Sequence, residues 1–296
     1  MSTDTAAHRS GHDWTAGHLT ALIFANVALA LGPWLVRLAD TGPVAAGFWR
    51  LTLALPVLAI LALREPVAQR RVSGATLALV LGGGAFFGLD LASWHIGIEG
   101  TKLGNASLFG NAGSLILMVW GLIAARRPPH LLELGAIAAA LAGAALLMGG
   151  SLEISHRNLV GDLFCLLAGF FYAFYILMLN AARARMGKFS VLALSMLAGI
   201  PALLAIALLR GEGIMPQDWT PLLALAFSSQ IVGQGLLIYS LRHFPPLVIG
   251  LALLTQPAIS ALTGWLAFGE LLGTGDVAGM LLLAGALVLA RAGDRK

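Results

Sequence analysis

At 296 residues, with 58% hydrophobic and only 11% charged residues and a mean hydropathy of +0.87, the chain is too apolar to be a soluble globular protein. Its net charge of +4 does not call for nucleic acid as a partner, because the basic residues sit in short stretches between apolar runs. The single cysteine, Cys165, falls inside an apolar run, which excludes an intrachain disulfide and reads as a small buried hydrophobe.

The apolar runs are about 20 residues long and recur along the chain, matching a hydrocarbon layer about 30 Å thick at about 1.5 Å per helical residue. They are rich in Gly and Ala and lack two-residue alternation, so they read as helices and not as barrel strands. Residues 1–17 form a polar tail of mixed charge that does not read as a cleaved signal. His8 and His12 have a metal-like spacing there, but without further ligands they carry no metal site. Hydropathy then predicts ten transmembrane helices at 18–37, 44–63, 74–97, 102–125, 131–149, 159–181, 189–209, 219–241, 246–268 and 275–291. Residues 150–158 form a linker and 292–296 a second tail. The connections are short, as in Asp40-Thr41-Gly42-Pro43 and Arg126-Arg127-Pro128-Pro129.

Of the 18 lysines and arginines, thirteen lie in the tails and in the loops after the even-numbered helices, four lie on the opposite side, and Arg50 lies within the second span. The positive-inside rule therefore places both termini in the cytoplasm. Compared with itself at an offset of 145, the chain aligns Leu117 with Leu262, Trp120 with Trp265 and Ala139 with Ala284 without a gap, and Trp94 with Tyr239. A five-helix unit crosses the membrane an odd number of times, so its second copy enters from the other side. The expected fold is all-α, with two inverted five-helix repeats, 18–149 and 159–291, around a central cavity. Gly84 with Gly88, Gly135 with Ala139 and Gly143, and Gly275 with Gly279 mark faces where backbones can approach. Pro33, Pro201 and Pro257 lie within spans and are expected to kink them.

Polar side chains at bilayer depth are costly and mark function by default. The third span carries Asp90, Ser93, Trp94 and Gly97 on one face, and the fourth carries Ser107, Asn111, Ser114 and Met118. The eighth has Gln230 and Gln234, and the ninth has Gln256, Ser260 and Thr263. At the repeat offset Asn111 falls on Gln256, so these two amides are expected to face each other across the central axis. Interhelical hydrogen bonding that only holds the bundle together is the competing account. Asp90 is the one carboxylate well inside a span. It is a candidate proton carrier or, alternatively, a structural partner of Arg50 or His95. Arg50 lies roughly 10 Å into its helix and reads as a snorkelling cation or one member of a structural pair more than as a substrate contact. Asn26 and Tyr175 are further candidate lining groups, with Phe171, Tyr172 and Met178 beside the latter. Trp34, Trp49, Trp219 and Trp265 read as interfacial anchors.

With these features in place, the sequence resembles the EamA-type members of the drug/metabolite transporter superfamily from the first span to the tenth. The resemblance rests on the duplicated halves, on Arg50 within Gly47-Phe48-Trp49-Arg50-Leu51, on the run DLASWHIGIEGT at 90–101, and on Gln256-Pro257 followed by Leu266-Ala267-Phe268-Gly269-Glu270. In the first half the positions matching Pro257 and Glu270 are Ala112 and Ala125, so the duplication has diverged. The resemblance implies alternating access through a central cavity and, in bacteria, export of amino acids or other metabolites across the inner membrane. The aromatic amino-acid exporters are the nearest named activity it offers.

The reading is thus a secondary transporter for small neutral metabolites, amino acids including aromatic ones, with the bilayer and protons as further partners. The candidate substrate contacts are Asn26, Asp90, Trp94, Ser107, Asn111, Tyr175, Gln230, Gln234 and Gln256. No cofactor is expected, and no phosphate-cradling G-x-x-x-x-G-K-[ST] occurs. An intramembrane enzyme is the alternative class, but Asp90 and His95 point about 140° apart on a helix and no other dyad offers itself. A receptor or scaffold without transport is the third class.

Overall fold

The computed structural model describes residues 15–70, 72–101, 106, 109–149, 158–259, 262 and 273–294. Ser107, Ser260, Thr263, Trp265 and Glu270 lie outside the described residues, as do His8 and His12 in the tail. The described residues form helices and no strands. In chain order these are α1 (Ala16–Ala30), α2 (Gly32–Leu38), α3 (Pro43–Leu63), α4 (Val67–Arg70), α5 (Gly74–Gly100), α6 (Ala112–Ala124) and α7 (Leu131–Gly149). The second half contributes α8 (Leu159–Arg183), α9 (Lys188–Leu209), α10 (Thr220–Ser240), α11 (Pro246–Leu253) and α12 (Thr274–Asp294). Among the described residues, six helical stretches are long and apolar enough to cross a membrane, and four shorter apolar helices accompany them.

Among the described residues, three breaks and one π-helical stretch distinguish the structure from ten uniform rods. The first span breaks at Leu31, where Pro33 follows the start of α2. The fourth breaks at Asn111, which sits in a turn immediately before α6. The ninth breaks at Leu254 and Thr255 before helical backbone resumes at Gln256. The eighth stays continuous, but Ala226–Gln234 is a nine-residue π-helical stretch between two α-helical ends. Non-α geometry at membrane depth persists where protein or a cavity surrounds it.

Helix α5 sits against α3, α8 and α9. Its small residues allow that approach: a Cβ on Gly84 would fall on the backbone carbonyl of Ser195, and one on Gly88 would stand 3.0 Å from the Cα of Gly199. Gly97 packs in the same way against Gly161 and Cys165. Helices α7 and α12 lie side by side, where a Cβ on Gly143 would come within 2.7 Å of the Gly279 carbonyl. Gly135 and Gly275 belong to the same faces but leave looser contacts, at 3.8 and 3.9 Å.

Helices α3 and α9 run antiparallel and cap each other. Glu212 follows a left-handed Gly211 (φ 67°) at the end of α9, with Gly211 N–H donating to Leu208 and Glu212 N–H to Ala207. This turn aims the Glu212 carboxylate at the first turn of α3, where it accepts from Ala45 N–H at 2.9 Å. At the other end Glu65, just past α3, accepts from Phe189 N–H at 2.9 Å and Ser190 N–H at 3.0 Å in the first turn of α9. Both carboxylates satisfy orphan amides at a helix N-terminus. The two glycines at these caps are related by the 145-residue offset, while the carboxylates are 147 residues apart: Gly42 has no room for a Cβ beside Glu212, and Gly187 has none beside Glu65.

Candidate functional site

Where the interrupted helices converge, a cavity of about 130 Å³ opens between the two halves. The face of α5 that meets it carries Phe87, Asp90, Leu91 and Trp94, spaced i, i+3, i+4 and i+7. Ser93 and Gly97, expected on that face, are buried instead against neighbouring helices. The helix is thus turned slightly from the orientation its polar residues alone suggest. Arg50 from α3 and Asn111 and Ser114 beside the fourth-span break complete the first half's share of the wall, and Tyr172 from α8 begins the second half's. Gln234, Leu253, Gln256 and Pro257 close it from the second half.

The helix breaks place polar groups at this depth. Asn111 and Gln256, equivalent under the repeat, both sit at an interruption of their helix and both line the cavity. Gln256 Nε2 donates to Asn26 Oδ1 at 3.2 Å, and Asn26 Nδ2 in turn donates to the Leu22 carbonyl at 3.0 Å. Asn26 therefore stands one layer behind the wall and orients Gln256. The π-helical stretch supplies a second set of contacts, two of them across the halves and a third within the second half. Ser229 Oγ donates to the Ala28 carbonyl at 3.2 Å, Gln230 Oε1 accepts from Arg50 Nε at 3.0 Å, and Gln234 Nε2 donates to Tyr172 Oη at 3.4 Å. Tyr175 Oη donates to Gln234 Oε1 at 3.3 Å while its ring stacks on Phe87 at 4.4 Å. Gln230 and Tyr175, fully buried, thus support the wall without forming it.

Two charged residues decide the character of the cavity. Asp90 (9% exposed) and Arg50 (5% exposed) both line it, yet no ion pair joins them among the described residues. Arg50 is tethered through Nε to Gln230, and its guanidinium lies 5.7 Å from the centre of the Phe87 ring. The cation read from the sequence as snorkelling or structural is held by a partner from the second half and also faces the cavity. His95 does not join Asp90: its Nδ1 donates to the Pro43 carbonyl at 2.6 Å, and it is absent from the cavity wall. Trp94 does reach the cavity, with Gly110 packed close to its indole nitrogen, where a Cβ would stand 3.1 Å away. Tyr172 and Ser114 are lining groups that sequence reasoning named only beside the principal candidates. Ser114 on the polar face of the fourth span and Tyr172 beside the aromatic stripe of the sixth were the available signal.

Threonine/homoserine exporter RhtA of Escherichia coli strain K12 is 28% identical over 251 residues, covering 84% of this chain and 81% of the relative. The protein of the same description from Salmonella typhimurium strain LT2 is 28% identical over 77% of this chain and 75% of the relative. A solved crystal structure superposes with a TM-score of 0.80 at 14% identity, covering 95% of this chain and 99% of that one, and so shares the fold. The model of the EamA-like transporter family matches twice, at residues 15–149 and 159–292, nearly the whole sequence. The chain is a member of the EamA-like transporter family.

Proposed function

We propose that the chain is a secondary transporter that moves small zwitterionic amino acids and related metabolites outward across the bacterial inner membrane. The observation that carries this reading is the pair Arg50 and Asp90: a basic and an acidic side chain buried on one cavity wall without a direct ion-pair contact between them among the described residues. An α-amino acid presents the complement, a carboxylate for the Arg50 guanidinium and an ammonium for Asp90. Leaving two opposite charges desolvated and unpaired is costly, and a substrate that meets both offsets that cost.

Size narrows the substrate. Pockets for drug-sized ligands span roughly 300–1,000 Å³, whereas this cavity holds about 130 Å³. That favours short side chains over aromatic ones in this conformation, and the name of the threonine/homoserine exporters points the same way. Asn111, Gln234 and Gln256 then contact the polar groups of the substrate, and Trp94 and Tyr172 shape its apolar side. Transport proceeds by rocking of the two halves about the cavity, with both termini cytoplasmic and Asp90 exchanging a proton for the substrate ammonium.

Proteoliposomes loaded with labelled threonine, homoserine, alanine or phenylalanine test the reading. Efflux of the small amino acids, lost in Arg50→Gln and in Asp90→Asn, is the expected result. Undiminished efflux in both variants would sink the assignment of the site.

A further inference from the structure

We propose that a second, basic pocket is a binding site for a phosphate-bearing anion, filled in the membrane by the headgroup of an acidic phospholipid. The pocket, about 410 Å³, lies at the end of the bundle where four spans begin or end. Its walls include Leu61 and Arg64 at the end of α3, Arg183 at the end of α8, Lys188 at the start of α9, and Tyr239 and Arg242 around the end of α10. It shares no lining residue with the central cavity.

Four permanent cations, Arg64, Arg183, Lys188 and Arg242, face a single carboxylate, Glu65. That carboxylate is already committed: it accepts from Phe189 N–H, Ser190 N–H and Ser190 Oγ at 2.9, 3.0 and 2.6 Å as the cap of α9, and no ion pair to it occurs among the described residues. Arg183 is buried, with Nε and Nη1 donating to the Ile238 and Met186 carbonyls at 3.0 and 2.5 Å, neutral partners that fix the guanidinium without neutralising it. Lys188 Nζ lies 4.8 and 4.7 Å from the Phe189 and Tyr239 ring centres. His243 lines the same pocket, with His18 stacked on its ring at 3.9 Å.

The positive-inside rule explains why basic residues occupy these loops. It does not explain why they converge on one concavity whose only carboxylate among the described residues is used as a helix cap. Converging like charges repel, and a phosphate offsets that repulsion through charge-assisted hydrogen bonds. The depth selects the source of the phosphate. Span ends lie at the level of the headgroups, Leu61, Pro66 and Phe189 offer an apolar flank to a glycerol backbone, and basic pockets between helices are where acidic headgroups bind.

The test uses the full chain in phosphatidylcholine nanodiscs with increasing phosphatidylglycerol, and separately with inorganic phosphate, following thermal unfolding. Phosphatidylglycerol should raise the melting temperature of the wild-type protein. In Arg64→Gln/Arg242→Gln the midpoint of that titration should rise roughly tenfold. The charge-keeping Arg64→Lys/Arg242→Lys should stay close to wild type, which separates charge from folding. An equal shift from inorganic phosphate alone, lost in the glutamine variant, would retain the anion site and overturn the lipid as its occupant. No phosphatidylglycerol effect on the wild-type protein, or the same effect in all three proteins, would overturn the site.

Discussion

Glu65 and Glu212 occupy equivalent positions at opposite ends of one helix pair: each follows its own helix and caps the N-terminus of the other's. The chain comparison at an offset of 145 finds leucines, alanines and a tryptophan pair, but this exchange of caps gives the duplication a physical consequence. It locks α3 of one half to α9 of the other in a fixed antiparallel register. The lock leaves the interrupted spans, which carry the cavity, free of that constraint.

Removing either cap should therefore loosen the seam between the halves. Glu65→Ala and Glu212→Ala each forfeit a capping interaction worth about 1 kcal/mol. At about 2–4 °C per kcal/mol for a chain approaching this length, each should lower the melting temperature by a few degrees in detergent. Gly187→Ala should do at least as much, since its Cβ would collide with the Glu65 carboxylate. Unchanged melting in all three would mean that the caps do not hold the seam.

Close backbone approach makes a sharper contrast among glycines. Gly84→Ala drives a methyl into the Ser195 backbone, which cannot yield as a side-chain tip would. Gly285, in α12, has nothing within 4 Å of a Cβ, and alanine there should be neutral or slightly stabilising. Thermal unfolding of the two single variants should differ by at least about 1–3 kcal/mol in the direction stated.

The spans were legible in the sequence because hydropathy and length are properties of one chain segment, and so were Gly84 and Gly88, whose spacing already defines a helix face. The breaks at Asn111 and at Leu254-Thr255 were not, because nothing in a Leu-rich run marks where surrounding protein will take up freed backbone groups. Nor was the π-helical stretch, which coincides with the bonds that Ser229 and Gln230 make to the other half and that Gln234 makes to Tyr172. Glu65 and Glu212 look like ordinary loop charges until an antiparallel neighbour presents its amides. Arg50 illustrates the same limit at the site: position along a helix gives its depth, and only the fold shows that Gln230 and the cavity meet it there.

The bond between Arg50 and Gln230 predicts a separation of stability from transport. Gln230→Leu leaves a buried guanidinium nitrogen without its acceptor and should cost about 1–3 kcal/mol of stability. Gln230→Glu keeps an acceptor but places a fixed carboxylate against Arg50, in competition with the substrate's own. Melting close to wild type, together with a KM for efflux raised at least roughly tenfold, is the expected result. An unaltered KM would show that Arg50 does not receive the substrate carboxylate.

Asp90→Asn isolates the other charge with almost no change in shape. If Asp90 only braces the bundle, the amide should lower stability and leave the coupling of transport to a proton gradient as it is. If Asp90 binds the substrate ammonium in one half of the cycle and a proton in the other, two things should change together. Exchange of labelled amino acid at equal pH should fall by roughly 30-fold or more, the scale for removing one partner of a buried charge pair. The remaining efflux should no longer respond to an imposed pH gradient, because the amide has no proton to carry. Asp90 makes no hydrogen bond among the described residues and faces the cavity with Arg50 as the neighbouring cation, so few structural contacts are lost on substitution. Measuring melting temperature, equal-pH exchange and gradient-driven efflux on the same Asp90→Asn preparation therefore distinguishes the two roles: intact gradient response would remove the proton from the mechanism, and intact exchange would remove Asp90 from the substrate site.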